Sequence, residues 1–223
     1  MSRYERKFLI EGIHLSEIEN CIYTNPGMFF EIYEDRFVNN IYLDTIELAS
    51  FNDNLSGIMD RIKFRIRWYG DLHGLVRNPN LELKIKTGFV GDKNIYHLKP
   101  FEFKLGSCFN EILKNLLKSD IPNNIEQRLK FLMPVIVNRY RRKYFSSFDR
   151  KYRITVDTNQ SFCGVSGNNI VSSKNNNTCD FNTILELKYN VQHETNARYI
   201  TNHFPFRMTK SSKYVNAIIN SYF

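Results

Sequence analysis

The sequence predicts an α+β domain built round one antiparallel sheet of roughly eight or more strands, with helices between them. Many short segments alternate apolar and charged residues, which is the period of a strand with one buried face. A few intervening segments carry apolar residues at helical spacing. Neither an internal repeat nor a linker interrupts the pattern, so residues 1–223 are predicted to form a single domain.

The predicted elements follow one another in a regular order. Residues 3–10 predict a first strand, and the helix that follows has Ser16 as its predicted N-cap. Residues 29–43 predict two strands separated by a turn near Glu34 and Asp35. The remaining predictions are strands at 60–70, 81–87, 135–145, 152–158 and 183–189, an extended segment at 93–104, helices at 45–55, 107–119, 123–132 and 213–222, and a polar surface loop at 172–178.

Composition narrows the function classes. The formal net charge of +8 favours a polyanionic partner, which could be a nucleic acid, a membrane surface or a phosphorylated small molecule. The cysteines (Cys21, Cys108, Cys163 and Cys179) lack the spacing of a zinc site or a disulfide framework. No signal peptide is recognisable, and no apolar run reaches the ~20 residues of a membrane span. We therefore expect a cytoplasmic protein with reduced thiols.

One strand has an unusual charged face. The stretch D-R-I-K-F-R-I-R-W-Y-G (60–70) places Arg61, Lys63, Arg65 and Arg67 on one side, about 6.6 Å apart. Neighbouring cations at this spacing repel each other by roughly 2 kcal/mol per pair. A solvated outer face is one interpretation of such alternation. The other interpretation is that this face binds an anion, which relieves the repulsion between the cations.

Other predicted strands repeat the pattern. Each of four other predicted strands carries ionic side chains on one face. They are Glu5 and Lys7 on the strand at 3–10, Glu82, Lys84 and Lys86 at 81–87, Arg153 at 152–158, and Glu186 and Lys188 at 183–189. If helices cover the apolar faces, the ionic faces point inward, as in a barrel with a polar interior. An interior lined by about ten cations and a few carboxylates suits a chain of phosphates with a divalent metal.

A set of motifs in this chain resembles a known family. The motifs are E-R-K-F-L-I, K-F-R-I-R-W-Y-G, E-L-K-I-K, R-Y-R-R-K-Y-F followed by R-I-T-V-D, I-L-E-L-K-Y, and K-S-S-K-Y, over residues 3 to 215. In this order they resemble the VTC domain, the polyphosphate polymerase domain of the vacuolar transporter chaperone complex and its bacterial relatives, within the triphosphate tunnel metalloenzymes (CYTH superfamily). The resemblance implies an eight-stranded antiparallel β-barrel with helices packed outside. It also implies metal-dependent transfer of the terminal phosphoryl group of ATP to a polyphosphate chain.

The resemblance also implies roles for individual residues. The phosphate-contacting catalytic residues would be Lys7, Arg65, Arg67, Arg142 and Arg153. Further substrate-binding residues would come from the shared strand faces and from the motif K-S-S-K-Y near the end of the chain. They are Arg61, Lys63, Lys84, Lys86, Lys188, Lys210 and Lys213. Mn²⁺ or Mg²⁺ would bind Glu186, with Glu5 and Glu82 as weaker candidates. Two alternatives stay open here: Arg139 and Arg141, of opposite parity to Arg142, could line the tunnel in its place, and Glu82 could be an ion-pair partner.

Two further functions compete with polymerisation. The same tunnel could admit water and act as a triphosphatase or polyphosphatase, or the chain could bind polyphosphate or nucleic acid without catalysis. Nucleic-acid readers place aromatic residues on their basic face, whereas most aromatics here fall on the opposite parity, so we expect ATP and polyphosphate as partners. Neither an SPX-type regulatory domain nor membrane helices are recognisable beside the motifs, so we expect a bare catalytic module. Export of product would therefore require a separate membrane protein, which would bring this chain to the inner face of a membrane.

Overall fold

The computed structural model describes residues 3–88, 90–104, 106–166, 169–170 and 182–222. The predicted loop at 172–178 and Cys179 lie outside these residues. Cys21, Cys108 and Cys163 are free thiols. None of the helices in the described ranges combines the length and apolar character that crossing a membrane requires.

The strands and helices occupy the following residues. The strands are β1 (Arg3–Ile10), β2 (Phe30–Asp44), β3 (Arg61–Tyr69), β4 (Gly74–Val76), β5 (Asn80–Thr87), β6 (Val90–His97), β7 (Phe101–Phe103), β8 (Met133–Ser146), β9 (Tyr152–Ser166), β10 (Asn169–Ile170) and β11 (Thr183–Asn190). The α-helices are α1 (Leu15–Tyr23), α2 (Ala49–Leu55), α3 (Phe109–Leu116), α4 (Asn123–Leu129), α5 (Glu194–Asn202) and α6 (Lys213–Tyr222).

The α+β class with a large antiparallel sheet is confirmed. Within the described residues the main sheet contains eight strands of eight residues or more, together with the two-residue β10. Strands β4 and β7 form a separate two-stranded sheet. Closure of the eight long strands into a barrel stays a prediction.

The chain divides into two compact units. The first unit comprises Met1–Arg36, Tyr140–Gln160 and Asp180–Ser211. The second unit comprises Phe37–Arg139, Ser161–Cys179 and Ser212–Phe223. Each unit contains one of the ionic strand faces described below. The single-domain organisation expected for residues 1–223 stays a prediction.

In the first unit, β11 lies between β1 and β9 and pairs antiparallel with both. The apolar residues of these strands pack against helices α1 and α5 because alternate side chains point to the same side of the sheet. The buried residues of this core are Phe8, Ile10, Ile18, Ile22, Phe29, Phe145, Tyr152, Ile154, Val156, Leu185, Leu187, Tyr189, Ala197, Ile200 and Phe204. Helix α5 was not predicted from the sequence. Covering this face leaves the ionic residues of the same strands on the other side.

In the second unit, the strand order is β6–β5–β3–β2. Apolar residues of these strands, among them Ile66 and Leu81, pack against Phe109 and Ile112 of α3 and Leu129 of α4. Trp68 is buried in this core beside Phe101 and Phe103. The cations of β3 alternate with these apolar residues and therefore point to the opposite face.

Two local predictions were wrong. Residues 30–44 form one long strand, β2, without a turn near Glu34. Asp35 lies 2.6 Å from the Arg141 guanidinium, and Arg36 donates to the Tyr144 hydroxyl, so contacts to β8 hold this polar stretch extended. Helix α1 begins at Leu15, with His14 as its N-cap in place of Ser16.

A buried carboxylate joins β2 to α2 and α6 in the second unit. Asp44 is fully buried, and its oxygens accept hydrogen bonds from the backbone N–H groups of Thr45, Ser50 and Phe51 at 2.8, 2.9 and 3.1 Å. The Tyr214 hydroxyl donates to the same carboxylate. Asp44 therefore satisfies N–H groups at the start of α2, whose own N-cap residue supplies no side-chain bond.

We expect Asp44→Ala to lower the free energy of unfolding by about 3 kcal/mol, because several buried donors lose their acceptor together. Urea denaturation of the purified protein measures the effect. The control is Glu47→Ala, which removes an exposed carboxylate from the same loop and should change stability by less than about 0.5 kcal/mol. An Asp44→Ala protein that unfolds at the wild-type urea concentration would contradict this role.

Candidate functional site

The first unit gathers ionic side chains from β1, β11 and β9 on one face. Its register pairs Glu5 with Lys188 and Lys7 with Glu186, and it pairs Lys188 with Arg153. Directly opposed residues of neighbouring antiparallel strands lie on the same face, with their Cβ atoms close together. Five residues proposed from the sequence are thus brought together.

Glu186 lies at the centre of this cluster. Its carboxylate is 2.8 Å from Lys188 Nζ, 3.4 Å from Lys7 Nζ and 3.8 Å from Arg142 Nη2. Glu5 lies 3.6 Å from the same Lys7 ammonium. Two carboxylates therefore share one cation, and Glu186 is only 5% exposed.

Arg142 is anchored by a second buried acid. Its Nε and Nη2 donate to the two oxygens of Asp157 at 2.5 and 2.6 Å, which is the bidentate geometry of a strong pair. Burial opposes the charge of Arg142, but the Asp157 carboxylate raises the pKa of Arg142 well above its ordinary value. Burial and the charge of Arg142 lower the pKa of Lys188. The Glu186 carboxylate opposes this shift but does not cancel it.

The alternative arginines of β8 have other partners. Arg141 pairs with Asp35, and the Arg139 guanidinium lies 3.9 Å from the centre of the Phe37 ring. Burial lowers the pKa of Arg139. The geometry therefore favours Arg142 as the β8 arginine of the Glu186 cluster.

The second unit carries a strongly positive strand face. On β3, β5 and β6, register places seven cations on the same side: Arg61, Lys63, Arg65, Arg67, Lys84, Lys86 and Lys93. Among the described residues of these three strands, Glu82 is the one carboxylate on that side. We call this surface the cationic face.

Glu82 is held by three of these cations. Arg65 Nε and Nη2 donate to Oε2 at 2.8 and 2.5 Å, Lys93 Nζ lies 3.2 Å from Oε1, and Arg67 Nη1 lies 3.6 Å from Oε2. Burial of Glu82 opposes its ionisation, yet the charges of Arg65, Arg67 and Lys93 lower its pKa to about 2. The acid that is missing from β3 is thus supplied by the neighbouring strand.

Three lysines form a row across the cationic face. Lys63 lies opposite Lys84, and Lys84 lies opposite Lys93. Like charges in directly opposed positions destabilise a strand pair, so this row favours an anion. Lys63 Nζ also donates to Asn54 Oδ1 at 3.0 Å and to Ser212 Oγ at 3.2 Å.

Lys93 was not singled out from the sequence, although a signal for it exists. The stretch T-G-F-V (87–90) is typical of a short hairpin loop, and Gly88 has a φ of 60°, which glycine adopts without strain. Pairing of Thr87 with Val90 then fixes the register that places Lys93 opposite Lys84.

The remaining residues proposed from the sequence are Arg61, Lys86, Lys210 and Lys213. Arg61 lies opposite Lys86 and donates to the Ile58 carbonyl at 2.5 Å. Lys210 is exposed in the first unit, whereas Lys213 is buried at the start of α6 in the second unit. Burial opposes ionisation of the Tyr42 hydroxyl, but the positive charges of Arg65, Arg67 and Lys213 lower the pKa of Tyr42 below its ordinary value.

Comparison with known proteins assigns the family. The family model of the VTC domain matches residues 2–222, nearly the whole chain. The chain belongs to the VTC domain family. The resemblance inferred from the ordered motifs is therefore confirmed. No curated protein matches the sequence.

Solved structures share the fold of this VTC domain at low sequence identity. A putative adenylyl cyclase from Hippeastrum, described as having a dominant triphosphatase activity, has 14% identity and a TM-score of 0.54, over 99% of this chain and 96% of that chain. A putative adenylate cyclase from Vibrio parahaemolyticus has 11% identity and a TM-score of 0.53, over 96% of each chain. A protein from Pyrococcus horikoshii has 12% identity and a TM-score of 0.50, over 97% of this chain and 96% of that chain.

The carboxylates of the VTC domain differ in their fit to a divalent cation. In the described parts of the chain, no group of three or more His, Cys, Asp or Glu side chains could hold a metal unaided. Mg²⁺ commonly binds through one or two carboxylates together with substrate phosphates, and the pair Glu186 and Glu5 fits that mode. Glu82 fits this mode less well than Glu186, because the described residues of β3, β5 and β6 place no second carboxylate on its side and Arg65 already donates to it twice, at 2.8 and 2.5 Å.

We expect Glu82 to stabilise the VTC domain in a pH-dependent manner. Its folded-state pKa of about 2 lies below the ordinary value of 4.5, so its contribution is complete above pH 4.5 and is lost as the pH falls towards 2. Glu82→Gln should therefore lower the free energy of unfolding by about 3 kcal/mol at pH 7 and by much less near pH 2.

Urea denaturation of both proteins between pH 7 and pH 2 measures this difference. Glu102→Gln, the same substitution at an exposed position of β7, should show no comparable trend. A stability difference between wild type and Glu82→Gln that stays constant across this range would refute the assignment.

Proposed function

We propose that this VTC domain is a metal-dependent polyphosphate polymerase that transfers the terminal phosphoryl group of ATP to the end of a polyphosphate chain. The observation that carries the proposal is the cationic face, with seven lysines and arginines against one carboxylate, in a member of this family. The proposal includes closure of the eight long strands into a barrel round the phosphates, as the family resemblance implies.

The lysine row and its neighbours would bind the phosphate chain. A polyphosphate carries negative charge on every unit and offers only hydrogen-bond acceptors, which matches ammonium and guanidinium donors. Its binding would relieve the repulsion between Lys63, Lys84 and Lys93 that the strand register creates. The face therefore gains stability from the ligand in addition to binding it.

The proposed reaction needs no protein nucleophile. A terminal oxygen of the acceptor chain attacks the γ-phosphorus of ATP, a new P–O bond forms, and the bond to the bridging oxygen breaks to release ADP. Arg65 and Arg67 neutralise charge on the transferred group, and the lysines hold the chain in line. The acceptor oxygen is already ionised at neutral pH, so positioning and electrostatic stabilisation provide the catalysis.

Glu186 and Glu5 would hold Mn²⁺ or Mg²⁺ in this proposal. Such an ion would neutralise phosphate oxygens near Glu186. Lys7 donates to the Ser211 carbonyl at 3.1 Å, which fixes its ammonium between the two carboxylates. Arg142, anchored by Asp157, and Lys188 orient Glu186. Arg153, exposed beside Lys188, would meet phosphate from the same side.

Hydrolysis is the second candidate function. Water would then replace the polyphosphate acceptor, and the same cations would stabilise the same charge. The dominant triphosphatase activity described for the Hippeastrum protein, which shares this fold, favours testing it. Non-catalytic binding of polyphosphate is a third candidate. The cytoplasmic location and a separate membrane partner stay predictions.

We expect tripolyphosphate to raise the melting temperature by about 5 °C or more at a hundredfold excess over its dissociation constant. Lys93→Ala should weaken binding several-fold, because it removes one cation from the lysine row and from Glu82. Thermal melting with and without ligand at fixed salt measures both effects.

The control for Lys93→Ala is Lys99→Ala, an exposed lysine outside the cationic face, which should bind tripolyphosphate as wild type does. The absence of any thermal shift at millimolar tripolyphosphate would count against a phosphate-binding face.

We expect purified protein supplied with ATP and Mn²⁺ to form long polyphosphate and ADP. Glu186→Gln should reduce this activity at least about a hundredfold, because the neutral amide is a poor metal ligand. Gel electrophoresis of the products and a coupled assay for ADP provide the measurements.

The matched control is Glu11→Gln, the same substitution at an exposed position of the first unit, which should leave activity unchanged. Release of phosphate and ADP without long polyphosphate would exclude the polymerase and establish the hydrolase. Full activity of Glu186→Gln would remove the metal assignment.

A further inference from the structure

Two buried asparagines, one on β2 and one on β8, extend the cationic face beyond Arg67. Asn40 on β2 lies opposite Arg67 on β3, and its Oδ1 accepts a hydrogen bond from Arg67 Nε at 2.8 Å. Asn40 Nδ2 in turn donates to Asn138 Oδ1 on β8 at 3.2 Å. Both asparagines are fully buried, and Arg67 is nearly so. We call this chain of hydrogen bonds the amide relay.

The direction of the amide relay is fixed by chemistry. A guanidinium can only donate, so Arg67 requires the oxygen of Asn40. Asn40 then has only its amino group left for the next residue, which requires the oxygen of Asn138. The group that ends the relay is therefore necessarily a donor, the Nδ2 of Asn138.

This terminal donor is unused. Asn138 Nδ2 is buried and has no hydrogen-bond partner among the described residues. Buried donors without partners are rare in folded proteins, because each gives up its hydrogen bonds to water without replacement. A buried donor at the end of an arginine-anchored relay matches a ligand that offers only acceptors.

We propose that Asn138 is a further phosphate-binding residue, whose Nδ2 donates to an oxygen of the phosphate held by Arg67. Asn40 is the positioning residue that orients both side chains. The proposal rests on the proposed function, since that function brings a phosphate to Arg67. It adds a neutral donor to a face otherwise dominated by lysines and arginines, so that one phosphate is located by hydrogen-bond geometry as well as by charge.

The neighbouring ion pairs show how a phosphate could reach this position. Arg67 makes the longest of the three arginine and lysine contacts to Glu82, at 3.6 Å, whereas Arg65 and Lys93 approach within 2.5 and 3.2 Å. A phosphate can therefore take the place of Glu82 at Arg67 while Glu82 keeps its two closer partners.

Calorimetric titration with tripolyphosphate at fixed pH and salt tests the role of Asn138. Asn138→Leu keeps the shape of the side chain without the donor and should weaken binding about tenfold. Asn138→Asp keeps an acceptor for Asn40 but presents a negative charge, and it should weaken binding more strongly.

The control is Asn39→Leu on β2, the strand that also carries Asn40. Asn39 is also fully buried, but it points to the opposite face and its Nδ2 donates to the carbonyls of Gly70 and Asp71 at 3.1 and 3.3 Å. This variant should have a lower melting temperature and unchanged affinity for tripolyphosphate. Equal losses of affinity in Asn39→Leu and Asn138→Leu would overturn the proposal, because they would reflect general loosening.

A double-mutant cycle in tripolyphosphate affinity tests the positioning role of Asn40. If Asn40 acts through Arg67 and Asn138, the loss in Asn40→Leu/Asn138→Leu should be smaller than the product of the two single losses. Independent, multiplicative losses would overturn the relay.

The outcomes separate this inference from the proposed function. Failure of the wild-type protein to bind tripolyphosphate would overturn both. Wild-type binding combined with an Asn138→Leu affinity within twofold of wild type would overturn the inference alone. A crystal structure of the wild-type protein soaked with tripolyphosphate decides the question without any substitution: a phosphate oxygen within hydrogen-bond distance of Asn138 Nδ2 supports the proposal, and a phosphate bound elsewhere on the face refutes it.

Discussion

Repulsion among the cations of β3, β5 and β6 is the constraint round which the second unit is organised. One buried carboxylate, Glu82, receives Arg65, Lys93 and, at longer distance, Arg67, and these charges lower its pKa to about 2. The carboxylate can neutralise only part of the seven positive charges on that face. Binding of a polyanion would lower the repulsion among these cations and would thereby stabilise the folded state.

The first unit balances its charges differently. Glu186, Glu5 and Asp157 lie among Lys7, Lys188, Arg142 and Arg153, so carboxylates and cations are nearly matched. Such an arrangement suits a divalent cation together with phosphate, whereas the cationic face of the second unit suits phosphate alone. The two units therefore differ in the balance of charge on their ionic strand faces.

Buried asparagines add hydrogen bonds of fixed direction to the charges of the cationic face. Charge attracts any polyanion, but it does not set the position of one phosphate along a row of cations. Hydrogen bonds of fixed direction do so, and the relay from Arg67 through Asn40 to Asn138 has its direction imposed by the guanidinium. Specific recognition on this face would therefore depend on residues that carry no charge.

The sequence by itself determined which side chains share a face, because the two-residue period of a strand is a local property. It thereby located Arg65, Arg67, Lys84 and Glu186, and the ordered motifs identified the family. Register and long-range partners were decided only by the tertiary structure. Contacts from β8 to Asp35 and Arg36 keep β2 extended where the sequence favoured a turn. Pairing of β5 with β6 brings Lys93 to Glu82, and pairing of β2 with β3 brings Asn40 to Arg67. These choices depend on residues far apart in the chain, whose contacts no local pattern records.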